Sequence, residues 1–284
     1  MTANLKSPGT LYIVATPIGN LNDISSRAIS ILDTVSLIAC EDTRHSRKLL
    51  NHLDIKTPLT SYYREKERYK TKVLIQKLLN GENIALISDA GTPALSDPGS
   101  ILVKQARIEK ITIVPIPGPS ALATAISAAG LEENGFFFGG FPPPKKGERC
   151  TYFKRLASLP FPLVFYESPH RIIHSLRDAL AVFGDRNALL FRELTKIHEE
   201  CLEGLLSMLL ERVEKGIKGE LVLIIKGMKE TAADKPDNLQ ELLTWYHDQP
   251  DMSLKDAVRH ISNDLNLPRN QVYQEALSIW KPGR

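Results

Sequence analysis

The apolar run Ile84-Ala85-Leu86-Ile87 is followed at once by Ser88-Asp89-Ala90-Gly91-Thr92-Pro93-Ala94-Leu95-Ser96-Asp97-Pro98-Gly99, with two glycines, two prolines and two aspartates. A short apolar run bounded by turn residues reads as a strand buried on both faces. Such strands belong to parallel sheets covered by helices. In open sheets of that kind, ligands bind beyond the carboxyl ends of the strands. A loop of this length is more than a connection needs, so Ser88–Gly99 reads as a rigid, acidic cradle for a small molecule.

The surrounding chain repeats the same alternation. Leu11 to Thr16, Leu37 to Cys40, Pro58 to Tyr63, Ile84 to Ile87 and Ile111 to Val114 read as strands. Between them, Ile24 to Val35, a segment capped by Thr43 and carrying Leu49, Leu50 and Leu53, a charged segment ending near Gly81, and Ile101 to Ala106 read as helices. This order predicts parallel βαβ units. Pro117-Gly118-Pro119-Ser120 precedes an Ala-rich helix over Ala121 to Ala129. A second α/β block then carries Leu163 to Tyr166, a helix from Ile172 to Leu180, Ala188 to Phe191, Leu205 to Val213 and Leu221 to Ile225. The expected division is an α/β domain over 1–116, a second over 117–230, a linker over 231–238 and a helical tail over 239–284. In the tail, Ser253 and Asp256 have capping-box-like spacing. Pro268 suits the first turn of a last helix. Two short helices across Asn266-Leu267 fit either a helix-turn-helix or a plain helical hairpin.

A net charge of +3 does not by itself imply a polyanionic partner. Cys40, Cys150 and Cys201 are far apart and form no paired motif, so neither a disulfide framework nor a cysteine metal site is expected. The start Met1-Thr2-Ala3-Asn4-Leu5-Lys6 lacks the apolar core of a signal peptide. No stretch has the length of a membrane span, and the expectation is a cytoplasmic protein without membrane or metal.

The first strand-to-helix turn, Val14-Ala15-Thr16-Pro17-Ile18-Gly19-Asn20, holds one glycine where a dinucleotide fold needs several. A nicotinamide or flavin dinucleotide is therefore disfavoured. Tyr166-Glu167-Ser168-Pro169-His170-Arg171 follows one strand, and Glu193, Lys196, His198 and Glu199 follow another. His170 and His174 lack a third ligand in the pattern and read as a solvated helix face. Lys145, Lys146, Arg149, Lys154 and Arg155, interleaved with Tyr152 and Phe153, form a basic cluster. Others lie around Arg44 and over Arg64 to Lys72. Basic groups with aromatics suit RNA, so Arg44 and the Lys145–Arg155 cluster are candidate RNA contacts.

Together these motifs resemble the tetrapyrrole methylase superfamily of S-adenosylmethionine-dependent methyltransferases. Within it, they are similar to the group acting on small-subunit ribosomal RNA. The resemblance runs through VATPIGNLNDI (14–24), CEDTRHSRKL (40–49), SDAGTPALSDPG (88–99), PGPSA (117–121), YESPHR (166–171), ELTKIHE (193–199) and GELVLIIKG (219–227). It implies two α/β domains with the cofactor cleft between them, a homodimer, and 2′-O-methylation of a cytidine ribose in the decoding region of 16S rRNA, free or in the 30S subunit. By position it implies cofactor contacts from Pro17 and Ile18, from Ala90, Gly91, Thr92 and Leu95, from Ser120 and Ala121, from Tyr166 and Glu167, and from Leu221 and Val222. Thr92 stands where the superfamily has an acid, and Asp89 lies nearby, so the acidic role stays open.

A ribose hydroxyl is a weak nucleophile that benefits from a positioned base or a cation. Glu167 or Glu199 is the candidate base, and Arg171 or Lys196 the candidate cation. The alternatives are a methyltransferase for a tetrapyrrole or another small acceptor, and a non-catalytic RNA-binding module.

Overall fold

Five strands form a wholly parallel sheet: β1 (Thr10–Val14), β2 (Leu37–Cys40), β3 (Leu59–Ser61), β4 (Ile84–Leu86) and β5 (Thr112–Ile116). Their spatial order is β3-β2-β4-β1-β5. Helices α1 (Ser26–Thr34), α2 (Thr43–His52), α3 (Glu67–Leu79) and α4 (Ser100–Ile108) connect them. One face of the sheet packs Leu11, Leu74, Leu78, Ile84 and Leu102. The other packs Val14, Leu32, Ile38, Leu50 and Ile116. Burial on both faces accounts for continuous apolar strands without alternation. Local chemistry sets the helix starts. Ser25 Oγ caps α1 by accepting from Ala28 N at 3.1 Å. Asp42, and not the expected Thr43, caps α2 by accepting from Arg44 N at 2.8 Å, which makes Thr43 the first helical residue. Gly81, just past α3, takes the left-handed backbone (φ +92°) that ends a helix cleanly.

This computed structural model describes residues 7–131, 135–228, 238–249, 252–265 and 267–280. The chain divides into two compact units, 1–227 and 228–284. The start Met1–Lys6 and most of the expected linker, 231–237, lie outside the described residues.

Helix α5 (Ala121–Ala128), capped by Ser120, leads to a second sheet. Its strands are β6 (Phe137–Phe138), β7 (Leu163–Glu167), β8 (Asn187–Arg192), β9 (Glu200–Leu205) and β10 (Leu221–Ile225). They lie in the order β6-β7-β10-β8-β9. Only β6 and β7 are parallel; the other pairs are antiparallel. The second block is therefore a mixed sheet and does not continue the parallel units of the first. Helices α6 (Lys146–Leu156), α7 (Ile172–Phe183) and α8 (Leu206–Glu214) cover one face, with Phe153, Phe165 and Leu176 in its core. The opposite face meets α5 and Ile18 of the first turn, through Ala125, Val164, Leu189, Val222 and Ile224. The small side chains of α5 allow that close approach between the two sheets.

In the second unit, α9 (Leu239–His247), α10 (Leu254–Asp264) and α11 (Arg269–Trp280) enclose a core with Leu243, Ala257, Ile261 and Val272. Asp256 N donates to Ser253 Oγ at 3.2 Å, as the capping-box spacing predicts. The turn residue Asn266 lies outside the described residues.

Arg149 corrects an expectation. It was grouped with the RNA-facing cations, yet it is 4% exposed. On α6 it shares the inward stripe with Phe153 and Leu156, four and seven residues on. Its Nε and Nη2 donate to Asp178 Oδ2 at 2.8 and 2.5 Å. Its Nη1 donates to the carbonyls of Pro143 and Pro144 at 3.2 and 2.9 Å. Removing one partner of a buried ion pair costs about 3–5 kcal/mol, because the other charge is left uncompensated. Arg149→Met is therefore expected to lower unfolding stability by that amount in urea titrations. Adding Asp178→Leu should recover part of the loss. A loss below about 1 kcal/mol would contradict a structural role for this pair.

Candidate functional site

The turns after β1 and β4 are joined by a reciprocal pair of backbone bonds. Thr16 N donates to Gly91 O at 2.9 Å, and Gly91 N donates to Thr16 O at 3.0 Å. This places the Ser88–Gly99 loop at the carboxyl end of adjacent central strands. The loop is conformationally strained. Ala94 and Ser96 have φ of +64° and +71°, a region non-glycine residues seldom occupy. Side chains hold it there: Ser88 Oγ donates to Ala90 O at 3.2 Å, and Thr92 Oγ1 donates to Pro119 O at 3.2 Å. Gly99 N donates to the buried Glu67 Oε1 at 2.9 Å. Strain retained by so many anchors marks functional loops.

A cavity of about 370 Å³ opens beside this loop, within the roughly 300–1,000 Å³ range of small-molecule sites. Antiparallel register supplies its other wall. Leu221 pairs with Glu167 and Val222 with Tyr166, so the ends of β7 and β10 present all four residues together. Of the residues expected to contact a cofactor, Ile18, Asp89, Ala90, Gly91, Thr92 and Leu95 line the cavity from the first sheet's loops. Ser120, Ala121, Tyr166, Glu167, Leu221 and Val222 line it from α5 and the second sheet. Pro17, by contrast, is buried in the first turn and does not line it. Tyr166 Oη accepts from Leu122 N at 3.1 Å, tying the strand end to the start of α5.

Glu41, Phe141, Leu194 and Glu220 also line the cavity and were not expected to, whereas Ser96 and Asp97 belong to the expected Ser88–Gly99 cradle without a contact assigned to either. Glu41 sits in the expected CEDTR motif just past β2, and a strand-end position was the signal for it. Glu41, Asp89 and Asp97 make one wall of the cavity anionic. Burial, then the neighbouring Asp89 and Asp97 charges, raise the Glu41 carboxyl above its ordinary range. Burial and the Asp89 charge likewise raise Asp97, against a lowering hydrogen bond from Ser88. An apolar pocket with clustered carboxylates suits a flat, partly apolar molecule with positive charge.

The four candidate catalytic residues do not converge. Glu167 lines the cavity with its side chain fully buried. Its Oε2 accepts from Ser175 Oγ at 3.0 Å. Its Oε1 accepts no hydrogen bond, although Arg171 Nη2 lies 3.2 Å away. Burial raises the Glu167 carboxyl, and Arg171 offsets this only in part. Arg171 also donates from Nη2 to Pro142 O. Lys196 and Glu199 sit instead on the turn between β8 and β9, outside the cavity lining. Lys196 Nζ donates to Glu193 Oε1 at 2.8 Å and Glu220 Oε2 at 3.0 Å. Burial alone would pull Lys196 down, but these bonds lift it above its ordinary range. Glu199 Oε2 accepts from Thr195 N at 2.6 Å, closing its own turn. Gly19 is required beside this turn, since a Cβ there would stand 2.4 Å from Lys196 Cγ.

Of the expected RNA contacts, Lys145, Lys146, Lys154 and Arg155 are exposed on α6 and its first turn. Arg44 is also exposed and pairs with Asp42 at 2.9 Å. Hydrogen bonding from Arg44 holds the Asp42 carboxyl down to about 2. Residues 239–284 carry five Lys and Arg against six Asp and Glu, so the tail offers no excess positive charge for phosphates. Among the described residues, no group of three or more His, Cys, Asp or Glu is placed to hold a metal, and no helix is long and apolar enough to cross a membrane.

Glu41 and Asp97 hold protons more tightly in the folded chain than in the unfolded one. Their contribution to stability therefore falls as pH rises through the raised range. Asp97→Asn is expected to melt above the wild type at neutral pH, with the gap closing as pH falls to the ordinary carboxylate range. Its affinity for a cationic ligand should fall. A lower melting temperature at neutral pH in calorimetric scans would contradict the cause given for the shift.

A family model described as Tetrapyrrole (Corrin/Porphyrin) Methylases matches residues 10–210. A protein of Xylella fastidiosa named ribosomal RNA small subunit methyltransferase I is 48% identical over 81% of this chain and 86% of its own. One of the same name from Escherichia coli O157:H7 is 44% identical over 95% and 96%. Among solved structures, a diphthine synthase superposes with a TM-score of 0.59 at 13% identity, covering 77% of this chain and 90% of that one. A uroporphyrin-III C-methyltransferase from Thermus thermophilus, complexed with S-adenyl homocysteine, superposes with a TM-score of 0.54 at 16% identity, covering 76% and 97%.

Proposed function

The chain belongs to the tetrapyrrole methylase family, within it to the ribosomal RNA small subunit methyltransferase I group, and from that premise we propose that it transfers a methyl group from S-adenosylmethionine to the 2′-hydroxyl of a cytidine in the decoding region of 16S rRNA. The observation that carries this reading is the acid-walled cavity between the two sheets, with exposed lysines on the adjoining α6. The cavity residues fit that cofactor. Ile18, Leu95, Leu221 and Val222 offer apolar surface, and Glu41, Asp89 and Asp97 offer negative charge. These carboxylates supply the acidic character that Thr92 does not. When bound, S-adenosylmethionine supplies a methyl group activated by its sulfonium charge.

The chain's own residues orient the acceptor, exclude water and accept a proton. Alignment of nucleophile and methyl group accounts for much of such a rate enhancement. Glu167 is the favoured base because, unlike Glu199, it lines the cavity, and burial raises its affinity for a proton. Neither Arg171 nor Lys196 lines the cavity; Arg171 is the favoured cation because it pairs with the candidate base Glu167. On this reading the protein works in the cytoplasm as a homodimer on the 30S subunit or its rRNA, as the family resemblance implies.

Calorimetry with S-adenosylmethionine and single-turnover methyl transfer to 30S subunits test the reading together. Glu167→Gln is expected to retain cofactor affinity while slowing transfer by roughly a hundred- to ten-thousand-fold. A near-normal rate would remove Glu167 from the base role, and wild-type protein that transfers nothing would contradict the activity. Replacing Lys145, Lys146, Lys154 and Arg155 with Ala should weaken RNA binding at every sequence. It should also flatten the dependence of log affinity on log salt by about 3–4. An unchanged slope would place the phosphate contacts elsewhere.

A further inference from the structure

Phe141 is a large aromatic that folding leaves uncovered at the cavity. It lines that cavity yet remains 52% exposed, whereas Phe153, Phe165 and Phe183 of the same domain are buried and the exposed Phe136 and Phe161 do not line it. Leaving a phenyl ring half in water forgoes part of the roughly 1.5–3 kcal/mol that burying it would contribute. Its position is nevertheless well determined. The ring stands edge-on to Tyr166, with centroids 5.6 Å apart and planes at 60°. Tyr166 N donates to Gly140 O at 2.9 Å, fixing the backbone just before it.

The segment after Phe141 is held by two arginines. Arg171 donates to Pro142 O, while Arg149 donates to the carbonyls of Pro143 and Pro144. Each guanidinium is itself anchored by a carboxylate, Arg171 by Glu167 and Arg149 by the buried Asp178. Three consecutive prolines further restrict the chain. Immediately beyond them stand the exposed Lys145 and Lys146.

A rigid, half-exposed ring, lining a cofactor-sized cavity and four residues before a lysine pair, has the attributes of a nucleobase platform. Bases splayed from RNA stack on such rings while nearby cations hold their phosphates. We propose that Phe141 stacks on the base of the acceptor nucleotide and so presents its ribose to the cavity. This rests on the rRNA reading above and adds to it a residue that selects a nucleotide over a smaller acceptor. Arg149 and Arg171 act through the Pro142–Pro144 segment as positioning residues for the ring.

The test compares Phe141→Ala, Phe141→Leu and Phe141→Trp in steady-state methylation of 30S subunits, with S-adenosylmethionine affinity measured by calorimetry. Exposure of the ring makes all three compatible with folding, and melting temperatures check this. Ala and Leu are expected to raise KM for the subunit about 5- to 150-fold with kcat little changed and cofactor affinity intact. Trp, which restores a larger π face, is expected to restore KM. Normal KM in Phe141→Ala would overturn the proposal, as would Leu performing as well as Trp. A matching loss of cofactor affinity would also overturn it, assigning the ring to the cofactor. A wild type inactive on subunits defeats the rRNA reading itself, whereas an active wild type with an unaffected Ala variant defeats only the stacking role.

Discussion

The reciprocal hydrogen bonds between Thr16 and Gly91 are the constraint on which the site depends. They lock the turn after β1 to the turn after β4 at the centre of the parallel sheet. The same loop then carries the left-handed backbone at Ala94 and Ser96, held by the anchors at Ser88, Thr92 and Gly99. With that lock, Ile18 is directed toward the second sheet, where it joins a shared core with α5, Leu189 and Val222. These backbone bonds and the loop's side-chain anchors together shape the cradle, and the shared apolar core seats the two sheets around it.

The second sheet contributes through register. Because β7 and β10 are antiparallel, the end of one meets the start of the other, and Tyr166, Glu167, Leu221 and Val222 share one edge of the cavity. The same strand end carries Glu167, whose pairing with Arg171 reaches on to Pro142. Cofactor wall, candidate base and the segment bearing Phe141 are therefore mechanically linked. A substitution at Arg171 changes the electrostatics of Glu167 and the placement of that segment together, so its kinetic effect reports both.

The first sheet was largely legible in the amino-acid order, because its strands are buried on both faces and α1 and α2 carry side-chain caps. The second was less so. β9 alternates intermediate and exposed residues, Glu200 to Leu205, and offers no apolar run to recognise. α6 was hidden by its charges: read in one dimension Arg149 belongs with Lys145 and Lys154, and only the helical spacing to Phe153 and Leu156 turns it inward. The cavity's residues from Ser88 to Leu95 were visible as a motif. Glu41 and Phe141 were not, since their roles arise from which strand ends and loops the fold brings together.

On the proposed function, this cavity delivers a methyl group to one ribose oxygen. The most direct measurement is to treat 30S subunits lacking the modification with the protein and isotopically labelled S-adenosylmethionine, then locate the label by nuclease digestion and mass spectrometry. The account predicts label on the 2′-oxygen of a single cytidine in the decoding region. Label on a base, on several scattered nucleotides, or on a tetrapyrrole in preference to RNA would contradict it.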